Sequence, residues 1–157
     1  MAENPHLTIK LNGNPVNGDS TQKTKDGSIE LTSFSWGVST PIDHGTGAPT
    51  GRRVYQPITI TKRVDKASPL LMNGLVTNQI CEGSIKFYRP TKKGDASSEN
   101  FYTCDFGQGR IESISASIGG NGEVPHESLT IVFTKITWTY DTDGAKGITA
   151  TDKWEQS

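Results

Sequence analysis

The sequence predicts an all-β fold, mainly antiparallel: a closed β-barrel of two curved sheets with one short flanking α-helix. Three observations carry that expectation. Apolar and polar residues alternate at period two in runs separated by turn clusters, the pattern of half-buried strands. Two of the longer runs switch the phase of this alternation midway, as strands do when they bend to meet their neighbours in a curved sheet. Leu, Ile, Val and Phe supply only 32 of the 157 residues, whereas Ser and Thr supply 33. With so thin a core and so much polar wall, closing the sheet removes exposed edges at modest apolar cost.

Taken in order, His6 to Leu11 alternates Leu7, Ile9 and Leu11 with Thr8 and Lys10, a half-buried strand. Asn12 to Gly27 is a polar, turn-rich connection. Ser28 to Ser39 is a longer strand with a defect, because Ile29 and Leu31 lie in one phase and Phe34, Trp36 and Val38 in the other. The flip near Thr32 predicts a bulge. Thr40 to Gly51 contains Gly45, Gly47, Pro49 and Gly51, which resist both helix and strand, so a mobile loop is expected. Arg52 to Arg63 reads as a strand, with Val54, Ile58 and Ile60 opposite Tyr55, Thr59 and Thr61. Asp65 to Pro69 writes a helix start, with Ser68 as N-cap and Pro69 at the first helical position. The helix should run from Pro69 to Val76, bury Leu70, Leu71 and Leu75, and stop at Asn78.

Gly83 to Arg89 is a strand with Ile85 and Phe87 inward and Ser84, Lys86 and Tyr88 outward. Lys92-Lys93 is a basic pair in a turn, expected to be solvated. Asn100 to Phe106 is a short aromatic strand. Arg110 to Ile118 is another, with Ile114, Ala116 and Ile118 opposite Ser113, Ser115 and Ser117. Gly119 to Pro125 is a turn. Glu127 to Tyr140 is expected to be the longest strand, with the second change of phase. Residues 141–157 form a polar tail apart from Ile148 and Trp154, and the whole chain, 1–157, reads as a single domain.

The formal net charge is −1 with both signs interspersed, which gives no electrostatic footprint for nucleic acid or an anionic membrane. The N-terminus has neither the basic nor the apolar segment of a signal peptide, and no run approaches a membrane span. The chain is therefore expected in the cytoplasm unless a machine exports it without a cleaved signal. Cys81 and Cys104 are read as packing residues, not a disulfide. His6, His44 and His126 make no zinc-ligand spacing. Asp43 and His44 adjoin on a loop with no nucleophile fixed beside them. Gly45-Thr46-Gly47 begins like a dinucleotide fingerprint but precedes a strand. No P-loop and no nucleophile elbow is present. No catalytic residue, cofactor or metal site is expected.

Several pieces of the chain, in order, resemble one family. They are Phe34-Ser35-Trp36-Gly37, then Thr50-Gly51, Pro57, Thr61-Lys62, Asp65 and Ser68-Pro69-Leu70. Lys135-Ile136-Thr137-Trp138-Thr139-Tyr140 and Lys153-Trp154 follow. The resemblance is to the haemolysin-coregulated protein (Hcp) family, which forms the inner tube of bacterial type VI secretion systems. It implies a homohexameric ring that stacks into an exported tube and carries or chaperones effectors, with the system's spike, sheath and effector proteins as partners. It implies a ring-stacking loop comprising Asp43, His44, Gly45, Thr46, Gly47 and Pro49. Arg52 and Arg53 at its base would bond acidic groups of a neighbour.

On the residues alone, Ser33, Ser35, Ser113, Ser115 and Ser117 are the wet side of an antiparallel sheet. In a tube they become a candidate lumen face, small and uncharged. Phe34, Trp36, Trp138 and Tyr140 are candidate core or interface anchors. The competing expectation is a non-catalytic β-barrel binding module that uses its loops for a small ligand or a protein partner.

Overall fold

The computed structural model describes residues 3–21, 25, 27–91, 98–122, 124–142 and 145–153. Lys92-Lys93 and Trp154 lie outside them. The elements in chain order are β1 (His6–Leu11), β2 (Asn14–Val16), β3 (Ile29–Ser39), β4 (Val54–Arg63) and α1 (Ser68–Val76). They continue with β5 (Cys81–Pro90), β6 (Ser98–Ser117), β7 (His126–Val132), β8 (Lys135–Thr142) and β9 (Ala145–Lys153).

Every strand pairing is antiparallel, and six strands close on themselves in the order β1-β3-β4-β7-β6-β5 and back to β1. The barrel and its single short helix agree with the sequence expectation. β8 and β9 extend the sheet outward from the first half of β6. The interior holds Leu7, Ile9, Ile29, Leu31, Ile58, Ile60, Ile85, Leu129 and Ile131, all fully buried. Cys81 and Cys104 are buried and unbridged, as expected. Burial pushes the Cys81 thiol up to about 12.

The phase flip near Thr32 is a register shift between Leu31 and Ser33, and a second shift follows between Ser35 and Gly37. Elsewhere the partition differs from the periodicity. The segments read as two strands, 100–106 and 110–118, are one 20-residue strand, β6, the longest in the protein. It changes partner near Gln108, whose φ of 51° absorbs the turn of the chain: residues 98–109 pair with β5, and 110–117 pair with β7. Conversely, the expected long strand 127–140 is broken at Phe133-Thr134 into β7 and β8. There the Thr134 hydroxyl donates to the Gln108 carbonyl, 3.0 Å away, and fills the gap. Gly109 permits this crossing, since a Cβ there would sit 2.2 Å from the Val132 carbonyl oxygen. Residues 145–153 of the expected tail form β9, and 14–16 of the expected connection form β2. Tyr88, expected outward, is buried, because a register shift after Phe87 turns it onto His6.

The helix corrects two expectations. Ser68 is not the N-cap; Ala67 is, with no side-chain cap. Asp65 Oδ1 instead accepts the Ala67 N–H at 3.0 Å. Leu71 and Gly74 are the buried positions, Leu75 is half-buried, and Leu70 is 52% exposed. Gly74 faces β1 so closely that a Cβ would lie 2.5 Å from Leu11 Cδ1, so the contact face turns about Gly74 and leaves Leu70 outside. Asn78 does end the helix. It takes φ 55°, its N–H reaches the Leu75 carbonyl, and the Gln79 N–H reaches that of Gly74, a Schellman arrangement.

Candidate functional site

The alternation of β3, β4, β7 and the second half of β6 places hydroxyl residues at every second position, and the register aligns them across the four strands. Ser33, Thr61, Ser128 and Ser115 form one row; Ser35, Thr59, Thr130 and Ser113 form the next. Ser117 continues the pattern opposite His126 and Arg63. All five sequence-predicted serines therefore share one face and are exposed. Thr59, Thr61, Ser128 and Thr130, half-buried on the same face, complete it. Their parity was visible in the sequence, but only strand pairing puts them in line with the serines. The reverse face carries Ile58, Ile60, Leu129 and Ile131, so one side of this sheet is barrel core and the other is hydroxyl-rich, with Arg63 and His126 at one end of it.

This four-stranded sheet has two lateral edges. On β3, pairing with β1 reaches only Ile29 and Glu30, and β4 occupies the other side. On β6, pairing with β5 ends at Gly109, and β7 occupies the other side of 110–117. Among the described residues, no strand pairs with the outer edge of β3 beyond Thr32 or with that of β6 from Arg110 onward.

The core side of the same sheet holds an ionic cluster. Lys62 is fully buried, and its Nζ meets Glu127 Oε1 at 2.5 Å and Asp65 Oδ1 at 2.9 Å. The Arg63 carbonyl at 3.0 Å and Ser68 Oγ at 3.1 Å complete its shell. The Ser68 hydroxyl in turn donates to Glu127 at 2.6 Å and accepts the Asp65 N–H at 3.0 Å. Two carboxylates, a carbonyl and a hydroxyl thus surround a cation that burial would otherwise penalise. The cluster ties the start of α1 to β4 and β7.

At the other end of β3 and β4 the chain between them is a built hairpin, not the loose loop expected. An Ile42–Pro49 bridge closes it. The Asp43 N–H donates to the Ala48 carbonyl, the Gly47 N–H to that of Asp43 and the Thr50 N–H to that of Pro41, at 2.7–2.9 Å. Asp43 Oδ1 accepts the Gly45 N–H and Oδ2 accepts the Thr46 hydroxyl, which leaves His44 exposed and without Asp43 as an acid–base partner. Gly47, at φ 73°, makes the reversal that other residues resist. Residues 40–54, including Arg52, are all exposed.

Arg53 departs from its expected role. Its guanidinium grips Asp152 of β9 through Nε and Nη2, and the Tyr55 hydroxyl donates to the same carboxylate. The Arg53 contact, then that of Tyr55, holds the Asp152 carboxyl below its ordinary range.

Between this pair of strands and β5, β6 and β8 lies an aromatic seam. Trp36 stacks on Tyr55 and lies 4.8 Å from Trp138, Phe34 meets Phe87 edge-on at 5.2 Å, and Trp138 stacks on Tyr102 at 4.7 Å. Phe34, Trp36 and Trp138 are half-buried against the core, whereas Tyr140 is exposed.

Known proteins align with this chain along most of its length. A family profile described as "Type VI secretion system effector, Hcp" matches residues 8–140. The "Major exported protein" of Pseudomonas aeruginosa is 32% identical over 144 residues, which span 87% of this chain and 81% of that protein. The Hcp1 protein from Escherichia coli EAEC 042 superposes with a TM-score of 0.84 at 25% identity, covering 97% of this chain and 99% of that one. Secreted protein Hcp3 from Pseudomonas aeruginosa superposes at 0.78 with 22% identity, covering 99% and 100%.

Proposed function

The chain belongs to the Hcp family of type VI secretion proteins, and from that premise we propose that it is a non-catalytic subunit of the secretion tube, assembling as six-membered rings that stack and are exported. The observation that carries the reading is the four-stranded sheet β3-β4-β7-β6, with two outer edges left unpaired among the described residues and one hydroxyl-rich face.

Unpaired strand edges are templates for another chain. β3 and β6 run in opposite directions, since three successive antiparallel pairings separate them. The β6 edge of one copy therefore meets the β3 edge of the next in antiparallel register. Such a head-to-tail contact is heterologous, and rotation closes it into a ring. The hydroxyl rows then line a wet lumen with side chains that hold no charge and leave room for transient cargo. The system's spike, sheath and effectors are the partners of that assembly.

Native mass spectrometry with negative-stain microscopy tests the reading. The expected species has six times the mass of the 17.0 kDa chain and appears as a ring with a central hole. A strict monomer at every concentration would overturn it in favour of a binding module.

A further inference from the structure

We propose that Asn121-Gly122, in the loop between β6 and β7, is a site of spontaneous covalent modification, where water replaces the side-chain amide and the chain acquires a carboxylate. An Asn side chain is most open to attack by the following backbone nitrogen when that residue is glycine, which has no Cβ to block the approach. The chain has four such pairs: Asn12-Gly13, Asn17-Gly18, Asn73-Gly74 and Asn121-Gly122. As dipeptides they are equivalent. The fold separates them.

Three pairs are held. Asn12 turns the chain from β1 to β2, its N–H donates to the Ile80 carbonyl and its Oδ1 accepts the Ile80 N–H, both at 2.8 Å. Gly18 is buried, and its N–H is committed to the Gly27 carbonyl at 2.9 Å. Gly74 is buried inside α1, where the helical backbone keeps its nitrogen from swinging toward the preceding side chain. Asn121 and Gly122, by contrast, are both exposed, and no hydrogen bond holds either one among the described residues. A Cβ built on Gly122 would meet nothing within 4 Å. With φ of 66° and 74° the two make a tight reversal, which reaches the attacking geometry by a local opening that breaks no hydrogen bond.

The Gly122 nitrogen gives its proton to hydroxide and attacks Asn121 Cγ. The new N–Cγ bond closes a five-membered imide as the Cγ–Nδ2 bond breaks, and the departing nitrogen takes a proton from water and leaves as ammonia. Water then opens the ring. Cleavage of the N–Cγ bond gives aspartate, and cleavage of the bond to the main-chain carbonyl carbon gives isoaspartate. The net exchange is one water in and one ammonia out. Either product adds one negative charge to a chain of formal net charge −1. Val124, close by in the same loop, lines a cavity with Asp19, Glu30 and Asp65, so the charge arrives at an end of the barrel already rich in carboxylates. The pairing that flanks the loop, Ser117 with His126, lies outside the modified pair, and the barrel strands need not rearrange.

The test incubates the folded full-length protein at mildly alkaline pH and follows each pair by peptide mass mapping, with enzymatic methylation of isoaspartate as a second probe. Amide-to-acid conversion at position 121 should run at least about tenfold faster than at position 12, where two ordinary hydrogen bonds must open first. Positions 17 and 73 should be slower than 121 as well. In guanidinium, where the fold is gone, all four should convert at comparable rates. An intact Asn121 in the folded protein, or equal conversion at all four positions, would overturn the assignment. The same ranking in guanidinium would trace it to local sequence and refute the role of the fold. Asn121→Gly, which tolerates the left-handed φ, should remove the first acidic isoform seen on isoelectric focusing; an isoform that persists would put the reaction elsewhere.

Discussion

Lys62 is a fully buried cation whose charge is balanced by groups from three segments: Asp65, Ser68 and, from β7, Glu127. Removing one member of such a cluster leaves the rest buried and uncompensated, which costs about 3–5 kcal/mol. Lys62→Met should lower unfolding free energy in urea by that order, and Lys62→Met with Glu127→Leu should recover part of it; a Lys62→Met protein as stable as the parent would sink the assignment. The sequence marked Asp65 and Ser68 only as a helix start, and their bonding to Lys62 emerges from the fold. Glu127 was not legible as a partner, since nothing in its neighbourhood announces a partner on β4. Trp36 shows a different limit. The sequence marked it as an anchor, but the structure leaves it half-buried in the aromatic seam. Trp36→Ala should therefore cost roughly half of the ~3–5 kcal/mol expected of a fully buried Trp, read as a fall in melting temperature.

At the level of elements, β1 is fastened to the turn before β3 through His6. The Ser28 hydroxyl donates to the Lys25 carbonyl at 2.6 Å, so the His6 Nδ1–H donates to the Ser28 oxygen, 2.8 Å away. Lys25 lies over the Tyr88 ring and pairs with Glu3, and the His6 ring meets Tyr88 edge-on. Burial first, then the charge of Lys25, push the imidazole below its ordinary range, against the weaker pull of Glu30 and Glu3. The unfolded chain binds this proton more readily than the folded one. The contribution to stability is thus complete above the unfolded value of about 6.5 and is lost as pH falls toward the lower folded value. Melting temperature should drop between pH 7 and pH 5.5, and His6→Gln should flatten that slope; equal slopes would show that His6 does not carry it. The strand itself was legible from Leu7, Ile9 and Leu11. The latch was not, because Ser28 and Lys25 sit in a turn whose distance from β1 in the fold has no local signature.

Across the whole molecule, the hairpin and the hydroxyl face lie on the same four-stranded sheet but have separable roles. Deleting Asp43 to Pro49 should spare the single ring and abolish stacked tubes and secretion, compared with the parent by ring mass, tube formation and export. Normal export by the deletion would reduce the hairpin to a linker. What the sequence determined by itself is local: the strand periodicities, the defect near Thr32, the Asn78 helix stop and the serine faces. Alternation and capping are read within a few residues of chain, and the barrel class follows from them together with the thin core. Only the tertiary structure decided what depends on partners far away in sequence. The joining of 98–117 into one strand, the break at Phe133-Thr134 and the recruitment of 145–153 as β9 all follow from which edges find hydrogen-bonding partners. Side-chain period survives such rearrangement, but register does not announce itself. Hence the individual serines were visible beforehand, and the ordered rows they form with Thr59, Thr61, Ser128 and Thr130 were not.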